Sequence, residues 1–173
     1  MMNRRRFLGA SLGLAPLLLA ACNATISPFD MTDAADDIAS DLLNQIRGKL
    51  DLSAPILATT MIPADPKGHP SAFGEILAQN IGTTFTRSGY SLVEARLRST
   101  VEINASGLYV LSSDATKVAR QVAAKAAIVG TYTAGTRYVI VNARILAVDT
   151  GIDLAATNRQ FPLTDYDLGL FKA

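Results

Sequence analysis

The sequence contains very few residues of the two types that most often carry catalysis and metal binding. Cys22 is the only cysteine and His69 the only histidine among 173 residues. A single cysteine excludes a disulfide within one chain, and a single histidine leaves no second imidazole for a His-based zinc site. A Ser-His-Asp triad would have to use His69, which lies between Gly68 and Pro70 in a turn-rich loop. We therefore expect no metal site and no cofactor.

Other catalytic signatures are missing as well. Beyond residue 22, no serine lies in a Gly-x-Ser-x-Gly elbow, and no phosphate-cradling glycine loop ends in Lys-Ser or Lys-Thr. Basic residues form no stripe with interleaved aromatics, which argues against nucleic-acid binding. Glu75 and Glu94 could pair in principle, but scattered acids on a helix and a strand are ordinarily solvated or salt-bridged. The sequence predicts a binding protein and not an enzyme.

The N-terminus has the layout of a cleavable secretion signal. Three adjacent arginines at 4–6 form a basic start, and an apolar run over 7–20 follows, interrupted by Pro16. The run is shorter than the roughly 20 apolar residues that cross a bilayer as a helix. A charged start, a short apolar stretch and a small-residue end are typical of signal peptides. The alternative, an ordinary buried helix, has no use for three adjacent arginines.

The end of the apolar run resembles the lipobox of bacterial lipoproteins, in which a cysteine thiol takes a diacylglycerol before the signal is cut. The residues concerned are Leu19, Ala20, Ala21 and Cys22. The resemblance implies a mature chain that begins at Cys22 and is anchored by acyl chains such as palmitate. Each buried methylene adds about 0.8 kcal/mol, so several chains hold a protein stably. A plain secreted protein cut near the two alanines is the alternative interpretation.

Two further features of this segment concern export and sorting. Arg4, Arg5, Phe7 and Leu8 resemble the twin-arginine consensus, although general secretory signals also begin with basic clusters. Asn23 follows the cysteine, and by resemblance to enterobacterial sorting rules a residue other than aspartate favours the outer membrane. We therefore expect an anchor in the outer membrane on its periplasmic side, with the inner membrane as the less favoured alternative.

The rest of the chain has the length and charge of one ordinary domain. Without the three arginines of the signal, 13 basic residues stand against 15 acidic ones, so the basic excess belongs to export. About 150 residues suffice for one hydrophobic core. We divide the chain into a signal peptide over 1–21, a lipidated tether over 22–31, an α/β domain over 32–163 and a loosely held tail over 164–173.

Apolar residues at helical spacing predict three helices, over 33–49, 71–88 and 113–124. Thr32 is the expected cap of the first helix, and Gly89 is expected to end the second in a left-handed conformation. Val118 and Val122 should point inward from the third. The predicted apolar stripe of the second helix consists of Phe73, Ile76, Leu77, Ile81 and Phe85.

Strands complete the predicted fold. We expect a buried strand over 54–62 and a second strand over 90–96, whereas the pattern over 97–111 indicates only a short helix or strand followed by a turn at Gly107. The last third predicts an antiparallel meander, because three apolar, β-branched runs are joined by short turns. These runs span 126–133, 137–148 and 152–161, with Asp149, Thr150 and Gly151 in the second turn. The result is an α/β fold with a mixed sheet whose C-terminal meander packs against helices.

The central strand of the meander alternates two sets of residues, so both of its faces are expected to be covered. One set is Val139, Val141 and the aliphatic stem of Arg144, and the other is Tyr138, Ile140 and Asn142. Arg144 and Asn142 could reach Glu94 or Glu75. Gly130, inside the first strand, predicts a bulge or a close backbone approach.

Segments spread over this domain resemble the FlgO family, flagellum-associated outer-membrane lipoproteins of Gram-negative bacteria. They read Pro-Ile-Leu-Ala-Thr-Thr-Met-Ile at 55–62, Ser-Ala-Phe-Gly-Glu-Ile-Leu at 71–77, Gly-Tyr-Ser-Leu-Val-Glu-Ala-Arg-Leu at 89–97, Ile-Val-Gly-Thr-Tyr-Thr at 128–133, and Val-Asn-Ala-Arg-Ile at 141–145 followed by Asp-Thr-Gly at 149–151. The chain departs from the family at Leu108, where an acidic residue is usual. The motif residues, which we interpret as structural, are Gly74, Glu75, Gly130, Tyr132, Asn142, Arg144 and Gly151.

The resemblance implies a fold similar to the N-terminal domain of TolB and to the curli-secretion lipoprotein CsgG. It also implies a non-catalytic role in binding envelope or flagellar proteins, in support of the flagellum or of envelope integrity. Two alternatives stay open. One is a periplasmic adaptor or activator of peptidoglycan synthesis, although a tether of about eight residues gives little reach. The other is a subunit of a curli-type export assembly.

Overall fold

A computed structural model describes residues 29–95, 101–103, 109–165 and 167–171, with the backbone alone for 101–103 and 109–110. The described residues form three α-helices, eight strands and a C-terminal 3-10 helix. In chain order these are α1 (Met31–Ile46), β1 (Ile56–Thr59), β2 (Ile62–Pro63), α2 (Ala72–Arg87), β3 (Leu92–Ala95), β4 (Val101–Ile103), β5 (Tyr109–Leu111), α3 (Ser113–Gln121), β6 (Ala126–Ala134), β7 (Tyr138–Ala147), β8 (Asp153–Pro162) and the 3-10 helix (Asp167–Phe171).

Six strands form one mixed sheet in the order β3-β1-β6-β7-β8, with β2 also paired to β6. The β1 strand is parallel to β3 and β6, whereas β7 is antiparallel to both β6 and β8. The β4 and β5 strands form a separate antiparallel pair in the stretch that was hardest to interpret, and Gly107 lies outside the described residues. The predicted α/β class, mixed sheet and C-terminal meander are therefore confirmed.

The strand expected over 54–62 is interrupted. It divides into β1 and β2, and both halves pair with β6. At the break, the N–H of Met61 donates to the carbonyl oxygen of Gly74 at 3.3 Å. This backbone group therefore bonds to α2 and not to a neighbouring strand. The hydroxyl of Thr59 donates to the carbonyl oxygen of Ile128 at 2.8 Å. The break was not predictable because the run is apolar throughout.

The observed helix caps match only one of the two predicted caps. Asp30, not Thr32, caps α1, accepting hydrogen bonds from the N–H groups of Thr32 at 2.8 Å and Asp33 at 3.3 Å. A carboxylate is favourable there because the first turn of a helix carries unpaired N–H groups and a partial positive charge. Gly89 follows α2 at φ +91°, as predicted.

The core lies on both faces of the sheet. The larger cluster is enclosed between the sheet and helices α1 and α2, and the smaller lies on the opposite face beside α3. Ile76, placed in the buried stripe of α2, is instead 38% exposed, while the other four residues of that stripe are buried. In α3, Ala115 and Ala119 are the buried residues, and Val118 and Val122 are only partly buried.

The outer face of β7 is open near its start, contrary to the expectation that both faces are covered. Val139 and Val141 are buried on the helix side, but Tyr138 is 48% and Ile140 37% exposed. Side chains two positions apart in a strand point the same way, so Arg144 lies on the same face as Tyr138 and Ile140. The expectation that it shares a face with Val139 and Val141 is therefore wrong.

Both ends of the described chain pack on the core. The ring of Phe29, assigned to the tether, lies 6.2 Å from that of Phe73 and 5.9 Å from that of Phe161, centroid to centroid. The ring of Phe171 lies 4.5 Å from that of Phe73. The expectation of a loosely held tail is therefore wrong for the described residues after 163. The tail is held by the contact between Phe171 and Phe73, which are 98 positions apart in the sequence. No local sequence pattern indicates a contact over such a distance.

Candidate functional site

Two motif glycines permit the close approach of Met61 to its neighbours. A Cβ on Gly74 would overlap the carbonyl oxygen of Met61. A Cβ on Gly130 would overlap the Met61 sulfur and lie 2.6 Å from the carbonyl oxygen of Asn142. The close approach predicted for Gly130 is thus present. These residues hold the break between β1 and β2 against α2 and β6, which is a structural role.

Tyr132 joins the same region to α2. Its hydroxyl lies 2.6 Å from that of Ser71, and its ring packs edge-on against Phe73 with centroids 5.0 Å apart. Burial raises the pKa of Tyr132 above its usual 10.0, and the hydrogen bond to Ser71 partly offsets this increase. Because Ser71 uses its hydroxyl here, it makes no side-chain cap bond to α2.

The two glutamates considered as a possible pair, Glu75 and Glu94, lie at the same edge of the sheet. Glu75 and Glu94 line a shallow cleft at the carboxyl ends of β1 and β3, together with Thr59 and Gln79. Both glutamates are exposed. Among the described residues, no group of three or more His, Cys, Asp or Glu side chains is arranged to hold a metal ion.

Asn142 and Arg144 pair within the meander rather than with the glutamates. The side-chain amide of Asn158 donates to that of Asn142 at 2.5 Å, and Arg144 forms an ion pair with Asp153. Both contacts join β7 to β8. Gly151 lies in the turn between them at φ +70°. These motif residues therefore stabilise the hairpin that carries the edge strand.

The edge strand β8 is the part of the described surface best suited to binding another chain. The N–H of Leu163 donates to the carbonyl oxygen of Arg137 at 2.8 Å. In an antiparallel pair, residues directed at the neighbouring strand alternate with residues directed away. The backbone groups of Asn158 and Gln160, and the carbonyl oxygen of Pro162, therefore point away from β7, toward the open side of the sheet.

The first half of this edge is covered by α1 and the turn that follows it. The side-chain amide of Gln45 donates to the carbonyl oxygen of Ala156 at 2.9 Å and accepts from its N–H at 3.1 Å. The amine of Lys49 donates to the carbonyl oxygen of Leu154 at 2.9 Å. Side chains thus take the place that a neighbouring strand would occupy, which is one way to prevent unwanted edge pairing.

Asp41 marks the limit of this cover. Its carboxylate accepts from the hydroxyl of Thr157 at 2.8 Å and pairs with the guanidinium of Arg159 at 2.5 Å. Both contacts involve side chains, so the edge backbone beyond Ala156 stays uncovered by α1. Sequence analysis missed this site, because Gln45 and Ala156 are 111 positions apart. The only available signal was a run of polar residues, Thr-Asn-Arg-Gln, inside the last predicted strand.

The predicted signal residues lie outside the described part of the chain. They are Arg4, Arg5, Phe7, Leu8, Leu19, Ala20, Ala21 and the lipidation site Cys22. Within the described ranges, no helix combines the length and apolar character needed to cross a membrane.

The described fold is that of a known class of small α/β domains. The LpoB C-terminal domain from Salmonella enterica superposes with a TM-score of 0.54 at 14% identity, over 76% of this chain and 98% of that one. The NMR structure of Escherichia coli LpoB gives a TM-score of 0.50 at 15% identity, over 94% of this chain and 80% of the other. A PelC dodecamer from Paraburkholderia phytofirmans gives 0.46 at 14% identity, over 65% and 74%.

The chain belongs to the FlgO family: the family model described as FlgO protein matches residues 36–166. This range includes Gly74, Gly130, Tyr132 and the whole meander, and it confirms the family resemblance drawn from the sequence. No curated protein matches the chain.

Proposed function

We propose that this protein is a lipoprotein of the outer membrane that faces the periplasm and binds other envelope proteins without catalysis. The observation that carries the proposal is the position of the FlgO match, residues 36–166, which begins 14 positions after the Cys22 that ends a lipobox-like segment. The fold shared with the LpoB C-terminal domain is consistent with such a module. Its contribution to the cell is support of the flagellum or of envelope integrity.

The anchor is tested by expressing the full chain beside Cys22→Ser, with Ala24→Ser as a control that leaves the thiol in place. We expect wild type and control in the outer-membrane fraction with added lipid mass on the N-terminal peptide. The Cys22→Ser variant should lack this mass and leave the membrane. A soluble, unmodified wild-type protein would remove the basis of the proposal.

Sorting and export have their own tests. Asn23→Asp should shift the lipidated protein toward the inner membrane if the sorting rule applies here, and an unchanged distribution would remove that argument. Replacing Arg4 and Arg5 by lysine should block export if the twin-arginine route is used. Normal export of that variant would assign the protein to the general secretory route.

The flagellar role is tested by deleting the gene and restoring it in trans. Reduced motility or unstable flagella, corrected by the restored gene, would support the role. Unchanged motility under all conditions tested would exclude it. The alternative role in peptidoglycan synthesis is tested by pull-down with penicillin-binding proteins. The alternative role as a subunit of an export assembly is tested by light scattering of the detergent-solubilised protein, which measures its oligomeric state.

A further inference from the structure

The second half of the β8 edge is an unused strand-pairing surface. Asn158 and Gln160 direct their N–H and C=O groups away from β7, and no described residue bonds to these backbone groups. With the carbonyl oxygen of Pro162, the open groups span about 14 Å along the strand, at roughly 3.4 Å per residue. This length matches a peptide of five extended residues.

The helix beside this edge is acidic. Asp33 and Asp37 precede Asp41 at intervals of four residues, so they lie on the same row of α1, one and two turns closer to its start. A helix advances about 6 Å in four residues and a strand about 7 Å in two. The row therefore continues along β8 from Arg159 toward Pro162, beside the open part of the edge.

These carboxylates carry unbalanced negative charge. Asp33 and Asp37 are exposed, and no cation in the described ranges lies within ion-pair distance of either. The guanidinium of Arg159 is already paired with Asp41. Asp30, at the start of the same helix, adds a further charge while it caps α1. An extended strand along the edge would thus meet open backbone groups on one side and carboxylates beside it.

We propose that residues 158–162 of β8 receive an extended basic segment of another protein as an added strand, with Asp33 and Asp37 pairing with its lysine or arginine side chains. Backbone hydrogen bonds supply the pairing, and the charges select the segment, as in other cases of strand addition. The proposal rests on the proposed function, since it names the kind of partner that an envelope-binding domain takes.

The test uses the mature lipidated protein in a non-ionic detergent and three fluorescein-labelled peptides. The probe is acetyl-Lys-Val-Lys-Val-Lys-amide. One control has glutamate in place of each lysine, and the other has proline in place of each valine, which keeps the charge but cannot extend a sheet. Fluorescence anisotropy measures binding, and amide-resolved hydrogen exchange by NMR reports on the N–H groups of Asn158 and Gln160.

We expect the lysine-valine peptide to bind, to weaken with added salt and to protect both amides. The double variant Asp33→Asn, Asp37→Asn should weaken binding about three- to tenfold at low salt, as for loss of two exposed ion pairs. Asp51→Asn with Asp149→Asn, the same charge change at the opposite end of the domain, should not. Asp30 is left unchanged because its substitution would remove a helix cap.

A backbone variant tests the pairing itself. Gln160→Pro removes an N–H that points away from β7, so the ladder with β7 is retained, as edge strands tolerate proline at such positions. Binding should fall about tenfold, the loss of one hydrogen bond plus the obstruction by the ring. If Gln160→Pro disturbs folding, seen by circular dichroism, the aspartate variants and the exchange data still decide.

Three results would overturn the proposal. The first is equal binding of the proline or glutamate peptide, which would indicate that charge alone or nonspecific adsorption accounts for the binding. The second is binding without protection of the two amides. The third is protection of both amides before any peptide is added, because the edge would then already be covered by a second copy or by the tether. Lipid on Cys22 is measured separately, so failure of the anchor and failure of this edge are distinguishable.

Discussion

The hydroxyl groups of Ser71 and Tyr132 lie 2.6 Å apart inside the domain and satisfy each other where little water can reach. Burial raises the pKa of Tyr132 above 10.0, so the folded state favours the neutral phenol more strongly than the unfolded state does. The resulting stabilisation is fully present below about pH 10, the unfolded pKa, and is lost as pH rises through the folded pKa.

Tyr132→Phe tests this linkage. The variant should lose about 1–3 kcal/mol of unfolding free energy at pH 7, because the buried hydroxyl of Ser71 is left without its partner. It should also show a smaller fall in stability than wild type above pH 10. Urea unfolding between pH 7 and 11 measures both effects. Tyr138→Phe, at an exposed position, controls for loss of any tyrosine hydroxyl, and identical pH profiles for Tyr132→Phe and wild type would contradict the linkage.

Alanine at Gly74 or at Gly130 should destabilise the domain. Gly74→Ala forces a methyl group into the carbonyl oxygen of Met61, and Gly130→Ala forces one against the backbone of β7. Overpacking costs about 1–3 kcal/mol, which exceeds the roughly 1 kcal/mol that alanine gains in a helix. Gly169→Ala has no atom within 4 Å of the new methyl group and should change stability by less than about 0.5 kcal/mol. Equal stability of all three variants would show that the close approaches are relieved by movement.

Removing the cover of the β8 edge should both destabilise and expose it. Gln45→Ala deletes two hydrogen bonds to Ala156, for an expected loss of about 1–2 kcal/mol. Uncovered edges pair with other chains, so the variant should also associate more readily in concentration-dependent light scattering. Gln79→Ala makes the same change on α2 and is the matched control. Unchanged stability and association for Gln45→Ala would mean that water replaces the amide without loss.

The C-terminal 3-10 helix should contribute to global stability. The ring of Phe171 contacts Phe73 and Tyr132 and is half-buried, so Phe171→Ala should cost about 1–3 kcal/mol, less than truncation of a fully buried phenylalanine. Leu168→Ala, in the same helix but outside the core cluster, should cost less. Thermal unfolding followed by circular dichroism compares the two. An effect of Leu168→Ala equal to that of Phe171→Ala would indicate that the helix acts through its backbone alone.

The meander could be predicted because the sequence patterns that define it lie close together along the chain. Turn residues such as Gly151 separate runs of β-branched residues, and each strand pairs with the next along the chain. Helix periodicity predicted α1, α2 and α3 for the same reason. The exposure of Ile76 was not predictable, since spacing identifies an apolar stripe but not the side of it that a neighbouring element reaches.

The features that escaped prediction depend on distant partners. Asp30 caps α1 directly after Phe29, whose ring packs against those of Phe73 and Phe161. From the sequence alone, Asp33, Asp37 and Asp41 of α1 have the spacing of an ordinary solvent-exposed helix face. Their position beside β8 is apparent only in the folded domain. The motif residues Asn142 and Arg144 were interpreted as structural, but their partners on β8 could not be identified from spacing alone.

The contacts between Gln45 and Ala156 and between Lys49 and Leu154 span 111 and 105 positions, so the start of the domain depends on its end. Likewise β1 finds one of its two parallel neighbours only in β6, which begins at residue 126. A chain that ends before the meander would therefore leave the apolar surface of α1 and β1 without its partners in the sheet. Such a chain would present the helices to chaperones and proteases rather than to a partner.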